Sequence, residues 1–301
     1  MIQFYAQYST VIDFFLISVG FAYSQQIVLR AGVFSIATGG FAGLGAYAVA
    51  LMATKTGVPI PLAIFLGAAL GALTGYLLSV PLAQLRGAFQ AIATLAFIKV
   101  MIALLLYFEA FTGGALGVKN IPRVTNTWIL IACVAAVMYV SWSVGRSGVG
   151  RVFDALRQDE QVAASLGASI RKYHALAFTV SGLFGGLFGG LQALYVYSIE
   201  PVDYGFALIV TILTMVVLGG RTTLLGPIVG AAILALIPEI VRPLAEYRQL
   251  LNGTILVLVI TFLPNGVGDE IVFYFRRKLR ARRAKNTETK GGEGGAVTSN
   301  R

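Results

Sequence analysis

Residues 62–80, LAIFLGAALGALTGYLLSV, run for nineteen positions without one charged side chain. A helix of about 20 apolar residues covers the roughly 30 Å of a bilayer's hydrocarbon core, because each residue advances it by about 1.5 Å. The same stretch spaces Gly67, Gly71 and Gly75 by four, which puts them on one helix face. Residues 182–190, GLFGGLFGG, repeat the pattern with Gly182, Gly186 and Gly190, and with Gly185 and Gly189 beside them. Lacking a Cβ, such stripes let two membrane helices approach closely. The pattern reads as an all-α, polytopic membrane protein built as a tight helix bundle.

Composition supports that reading. Of 301 residues, 57% are hydrophobic and 12% charged, and the mean hydropathy is +0.81. A soluble domain carries about 25% charge, so a water-facing surface of ordinary size cannot be built here. This excludes a soluble enzyme, a disordered protein and a secreted disulfide scaffold. One cysteine, Cys133, forbids an intrachain disulfide, and one histidine, His174, leaves the common metal and general-base clusters without their ligands. Cys133 reads as a small apolar residue within a span and His174 as a residue at a helix end. Neither is assigned a role, and no metal site is expected.

Nine apolar segments are expected to span, at 10–29, 33–54, 62–80, 88–110, 128–145, 173–197, 205–220, 224–241 and 249–264, within a range of eight to ten. The first has no Lys or Arg before Arg30, so it lacks the basic start of a cleaved signal peptide and is expected to be retained. An outside N-terminus places 17 basic residues inside and 5 outside, with Lys99 within a span. That asymmetry follows the positive-inside rule and puts the C-terminus in the cytoplasm. Residues 1–275 then form one membrane domain, and 276–301 a basic, Gly-rich tail with the composition of a disordered segment.

Glycine and proline interrupt several segments: Gly39-Gly40, Gly43-x-Gly45, Pro81, Gly113-Gly114 and Gly226-Pro227. Broken helices at membrane depth line cavities in transporters, although kinks also serve packing alone. Lys99 falls near the middle of the fourth span, where an ionised amine costs about 2.5–3.5 kcal/mol unless it faces water or a partner. It is expected in a water-accessible or paired position. Glu109 reads as an interfacial charge. With Asp13, Glu200, Asp203, Glu239 and Glu246 it makes an acidic set on the outer side.

The only long polar stretch between spans is 146–172, RSGVGRVFDALRQDEQVAASLGASIRK, on the expected cytoplasmic face. From Gly150 to Leu166 it reads as a helix. Val152, Phe153, Leu156, Ala163 and Leu166 form an apolar strip, Asp154, Arg157, Asp159 and Glu160 lie on other faces, and Gly167 ends it. Such a helix lies in the membrane interface or docks on another protein.

Within it, Arg157-Gln158-Asp159-Glu160-x-x-Ala163-Ala164-x-x-Gly167 resembles the cytoplasmic loop by which ABC-importer permeases dock on their ATPases. Three further stretches extend the resemblance to the branched-chain amino acid permease family, LivM-type. They are LRGAFQAIATLAF at 85–97, Thr112-Gly113-Gly114-x-x-Gly117, and VLGGRTTLLGPIVGA at 217–231. The chain departs from the family pattern at SIATGGFAGLGAY (35–47), which lacks a usual histidine. It departs again at Gln90, where an aromatic is usual, and near Lys99, where an acid is common. These positions bear on the solute rather than on the class.

The resemblance implies a permease subunit in a bacterial cytoplasmic (inner) membrane. It would import branched-chain amino acids, or within the same family urea, short amides or another carboxylate. It implies partners as well: a second related permease, two cytoplasmic ATPases and a substrate-binding protein, with membrane lipid around them and no nucleic acid. It assigns ATPase coupling to Phe153, Leu156, Asp159, Glu160, Ala163, Ala164 and Gly167. Thr94, Lys99, Gly113 and Gly114 fall in stretches where a translocation path is expected. No G-x-x-x-x-G-K-[ST] occurs, so ATP is expected to be bound by partner subunits, and the chain itself is neither an enzyme nor the holder of a cofactor. An ion-driven transporter would carry intramembrane acids for coupling, and a membrane enzyme a cluster of His, Asp or Glu. The expected span interiors hold almost none.

Overall fold

Within lipid no water receives a backbone N–H or C=O, so each apolar run must satisfy its own backbone, and it does so as helix. The computed structural model describes residues 2–240, with side chains over 9–235, and positions 253, 254, 257 and 261. Eleven α-helices follow in order among the described residues: α1 Ile2–Arg30, α2 Thr38–Leu51, α3 Ile60–Leu82, α4 Ala88–Tyr107, α5 Glu109–Thr112, α6 Thr127–Arg146, α7 Gly148–Gln158, α8 Glu160–Ser165, α9 Ile170–Ala193, α10 Phe206–Gly219 and α11 Gly226–Ile240. A π-helical turn, Met52–Thr56, prolongs α2.

Among the described residues, six stretches are long and apolar enough to cross a membrane: Ser9–Arg30, Ile60–Leu82, Ala88–Tyr107, Thr127–Arg146, Ile170–Ala193 and Pro201–Gly219. Helices α2 and α11 occupy two more of the nine expected positions at shorter length. The expected span at 249–264, apart from those four isolated positions, and the tail at 276–301 lie outside the described residues.

The long helices alternate in direction, which sorts the connections to two ends. At one end Tyr23 Oη donates to the Leu224 carbonyl (2.6 Å) and Gln26 Nε2 to that of Thr223 (2.7 Å). Arg30 pairs there with Asp154, and Arg86 with Glu160. At the other end Lys55 Nζ donates to the Phe111 carbonyl (2.7 Å), and Val118 and Ile199 exchange two backbone bonds of 3.1 Å.

Helix α9 is the hub, packed chiefly on α3 and α2 and then on α1. The glycine stripes set this contact. A Cβ on Gly71 would strike the Gly182 carbonyl and one on Gly182 the Gly71 carbonyl, while one on Gly45 would strike the Gly186 carbonyl and one on Gly186 that of Gly67. Aromatic side chains fill the space beside the seam, with Phe41, Phe184 and Phe188 at most 1% exposed.

Most of the expected breaks prove to be packing sites. Helix α2 runs uninterrupted through Gly39, Gly40, Gly43 and Gly45, where Ile209, Phe97, Met101 and the Gly186 backbone crowd in. Pro81 sits in the last turn of α3, and Pro227 follows the first residue of α11. Gly113 and Gly114 do interrupt the chain, with φ of +76° and +57°. A further break lies at 31–37, inside the segment expected to be helical from residue 33.

Candidate functional site

The polar stretch between α6 and α9 folds as two helices, not the single expected one. Asp159 adopts extended backbone (φ −157°, ψ 114°), and its carboxylate accepts from the amides of Gln161 (2.8 Å) and Val162 (3.0 Å). A short acidic side chain that caps the following turn ends α7 and starts α8 at one residue. Gly167 then closes α8 with φ +90°, its amide bonded to the Ala164 carbonyl (2.9 Å).

Of the expected apolar strip Phe153, Leu156 and Ala163 turn inward, while Leu166 does not. Phe153 and Leu156 are 1% and 2% exposed, and Phe153 meets Tyr173 edge-on at 6.3 Å. The backbone of Leu156 and Arg157 lies against Gly32, where a Cβ would come within 3.0 Å of Arg157 Cα. Both side chains hold the segment on its own bundle, so they are not free to enter a partner's cleft as their apolar character suggested. Ala163 is buried as well.

Charge reinforces the attachment. Arg30 grips Asp154 with two prongs, Nε–Oδ1 at 3.1 Å and Nη2–Oδ2 at 3.0 Å. Glu160 lies 3.6 Å from Arg86 and 4.0 Å from His174. Charge thereby ties one short segment to α1 and to the α3–α4 connection, and Phe153 against Tyr173 ties it to α9. The opposite face stays open: Val162 and Leu166 are exposed, Ala164 lies beside them, and Arg151, Asp154, Asp159, Val162 and Leu166 border a groove of about 360 Å³. An exposed apolar ridge flanked by both signs of charge suits a protein partner.

The break at 31–37 is a second feature with chemistry of its own. Ser35 and Ala37 are buried there, and side chains replace the missing helix bonds. Gln25 Nε2 donates to the Ser35 carbonyl (2.5 Å), Thr38 Oγ1 to Gln25 Oε1 (2.7 Å), and the Ile36 amide to Thr94 Oγ1 (3.2 Å). Irregular backbone at depth persists only when satisfied in this way.

The four residues expected along a path are not gathered at one place. Thr94 is buried against the break. Lys99 is exposed on α4, beside the exposed Val100. Gly113 and Gly114 turn the chain at the far end, with Thr112 Oγ1 bonded to the Leu105 carbonyl (2.5 Å) and accepting from the Gly114 amide.

Three residues outside the expected set proved structural centres. Gln25 organises the break, although only its place as a polar residue inside an apolar helix signalled it. His174 is 2% exposed near the start of α9, its Nε2 4.0 Å from Glu160 and without a hydrogen-bond partner among the described residues. Asp13 is 5% exposed on α1, at the end opposite Arg30, although it was expected among rim charges. It sits beside Tyr195, whose chain position gives no hint of the meeting.

The family described as branched-chain amino acid transport system / permease component matches residues 8–260. The chain is similar to the high-affinity branched-chain amino acid transport system permease protein LivM of Escherichia coli (strain K12), with 30% identity over 275 residues, covering 80% of this chain and 65% of that one. It is similar at 23% identity to the probable branched-chain amino acid transport permease protein LivM of Methanocaldococcus jannaschii, over 69% of this chain and 68% of that one. At 23% identity it is also similar to the ribose import permease protein RbsC of Haemophilus influenzae, over 85% and 82% of the two chains. The chain spans about two thirds of the length of the Escherichia coli relative. No solved structure matches it.

Proposed function

The chain belongs to the family of branched-chain amino acid transport permease components, and from that premise we propose that it is the membrane subunit of an ABC importer for branched-chain amino acids. A second permease, two ATPases and a substrate-binding protein complete the system in a bacterial cytoplasmic membrane. The N-terminus faces outward and the α7–α8 end faces the cytoplasm, as the distribution of Lys and Arg asks. ATP is bound and hydrolysed by the partners.

The observation that carries this reading is the α7–α8 segment. Its buried face (Phe153, Leu156, Ala163) and its ion pairs fasten it to three parts of the bundle, while Val162 and Leu166 stand exposed. A partner that grips the outer face moves the elements fastened to the inner one. Coupling therefore passes through Asp154 to α1, through Glu160 to the α3–α4 connection and through Phe153 to α9. Arg157 and Gly32 bring the 31–37 break into the same unit.

Similarity to a ribose permease and to the fructose import permease protein FrcC of Rhizobium meliloti keeps a second solute class in view within the same machinery. Reconstitution with the ATPases and binding protein encoded beside its gene separates the readings. ATP-dependent uptake of labelled leucine is the expected result. Uptake restricted to ribose, urea or acetamide overturns the solute and keeps the class. Uptake driven by an ion gradient with no ATPase present overturns both.

A further inference from the structure

Helices α3 and α9 touch backbone to backbone as far as Gly75, whose missing Cβ makes room for the Phe178 carbonyl. Beyond that contact, toward the α7–α8 end, the two helices border a groove of about 440 Å³. Its walls are apolar and face outward: Tyr76, Val80 and Leu176 are 53%, 49% and 40% exposed. The hydroxyls along it are already committed, Ser79 to the Tyr76 carbonyl (2.6 Å) and Thr179 to that of Ala175 (2.7 Å). Hydrogen-bonded to their own helices, they leave the groove with the character of its aliphatic and aromatic carbon.

Two cations stand at one end of this apolar trough. Arg171 and Lys172, in the first turn of α9, border the groove and are exposed. The described carboxylates of the α7–α8 segment have other engagements: Asp154 with Arg30, Asp159 in capping α8, and Glu160 with Arg86. Among the described residues neither Arg171 nor Lys172 has a carboxylate within ion-pair distance. A ligand that complements the trough must carry negative charge at one end and hydrocarbon along the rest.

We propose that this groove binds an anionic phospholipid, the phosphate held by Arg171 and Lys172 and an acyl chain laid along Tyr76, Val80 and Leu176. Basic pockets between membrane helices at headgroup level recognise anionic lipid in this way, and an inorganic phosphate has no use for the apolar walls. The site rests on α3 and α9 being membrane-spanning, and it stands whether or not α7–α8 docks an ATPase.

Native mass spectrometry of the full chain in detergent tests it, with phosphatidylglycerol, phosphatidylcholine and inorganic phosphate added separately. Phosphatidylglycerol is expected to be retained in preference to phosphatidylcholine. Each basic residue near a headgroup contributes about fivefold, so Arg171→Gln with Lys172→Gln should lower retention roughly thirtyfold. Val80→Asp should lower it with the cations intact. Melting of each variant in detergent controls for folding. If the double variant does not fold, Lys172→Gln alone and cross-linking of a photoactivatable phosphatidylglycerol to α3 and α9 of the native chain replace it. Equal retention of the two lipids, displacement by millimolar phosphate, retention unchanged in the double variant, or cross-links confined to other helices overturns the proposal.

Discussion

Arg30, the last residue of α1, and Asp154, in the middle of α7, are joined by two parallel hydrogen bonds of 3.1 and 3.0 Å across 124 residues of sequence. The pair is partly exposed, with side chains 21% and 38% accessible, so its value lies nearer that of a surface pair than a buried one. Its forked geometry does more than its energy, because it fixes the rotation of α7 against α1.

A double-mutant cycle with Arg30→Gln and Asp154→Asn should therefore return a coupling of about 1 kcal/mol in detergent melting. ATP-driven uptake should fall further than stability does. Additive effects in both assays would show that the pair is incidental.

The two faces of α7–α8 predict opposite phenotypes. Phe153→Ala removes a side chain that is 1% exposed and should cost the bundle about 3–5 kcal/mol. Leu166→Asp changes a residue that is 82% exposed. It should leave melting unchanged while the ATPases are lost on purification. ATPase retained at wild-type stoichiometry in Leu166→Asp would reject the outer face as the docking surface.

Glycines of the α3–α9 seam should tolerate nothing. Gly71→Ala drives a methyl into the Gly182 carbonyl, and a carbonyl cannot swing aside as a side chain does, so the folded yield in membranes should collapse. Gly57→Ala has open space around it and only a φ of +63° to resist it, at a cost of about 1 kcal/mol. Equal yields for the two variants would argue against backbone contact at the seam.

Topology is checked by cysteines placed at the two ends. In a Cys133→Ser background, Thr56→Cys should react with an impermeant maleimide added to whole cells and Ser165→Cys only after lysis. Labelling of Ser165→Cys from outside with Thr56→Cys protected until lysis would reverse the proposed orientation, and labelling of both from outside would overturn the placement of the two ends on opposite faces.

Lys99 is exposed on α4, and an amine at that depth is costly against hydrocarbon. A second subunit or an aqueous path is expected to cover it. Lys99→Ala should assemble normally and transport several-fold more slowly, and unchanged uptake would reduce Lys99 to a tolerated surface charge.

How much of this was legible in the sequence differs from element to element. The α3–α9 seam was, because a spacing of four needs no partner to be recognised as one face. The inward turn of Phe153 and Leu156 was not. An amphipathic pattern shows that a helix has an apolar side but not whose core will receive it. The interruption at 31–37 was hidden because AGVFSIA carries no charge and a single polar side chain, Ser35, and hydropathy registers side chains while the break is a matter of backbone bonds. The division at Asp159 did leave a signal, since an Asp ahead of Glu160 is a good helix start, but the apolar strip running across it favoured one helix. Lys99 was found by depth alone, and depth cannot say which way a side chain points.

A seam built from main chain against main chain has no torsions through which to yield. Where Gly71 meets Gly182 and Gly45 meets Gly186, there are no rotamers to exchange and no methylenes to slide past each other. Contacts of that kind either hold or separate. Mechanically, α2, α3 and α9 then form a keel, and the deformable joints of the molecule are left where large side chains make the contact. One such joint is the α2–α4 boundary, where Phe41 packs on Phe97 and Met101 reaches Gly43.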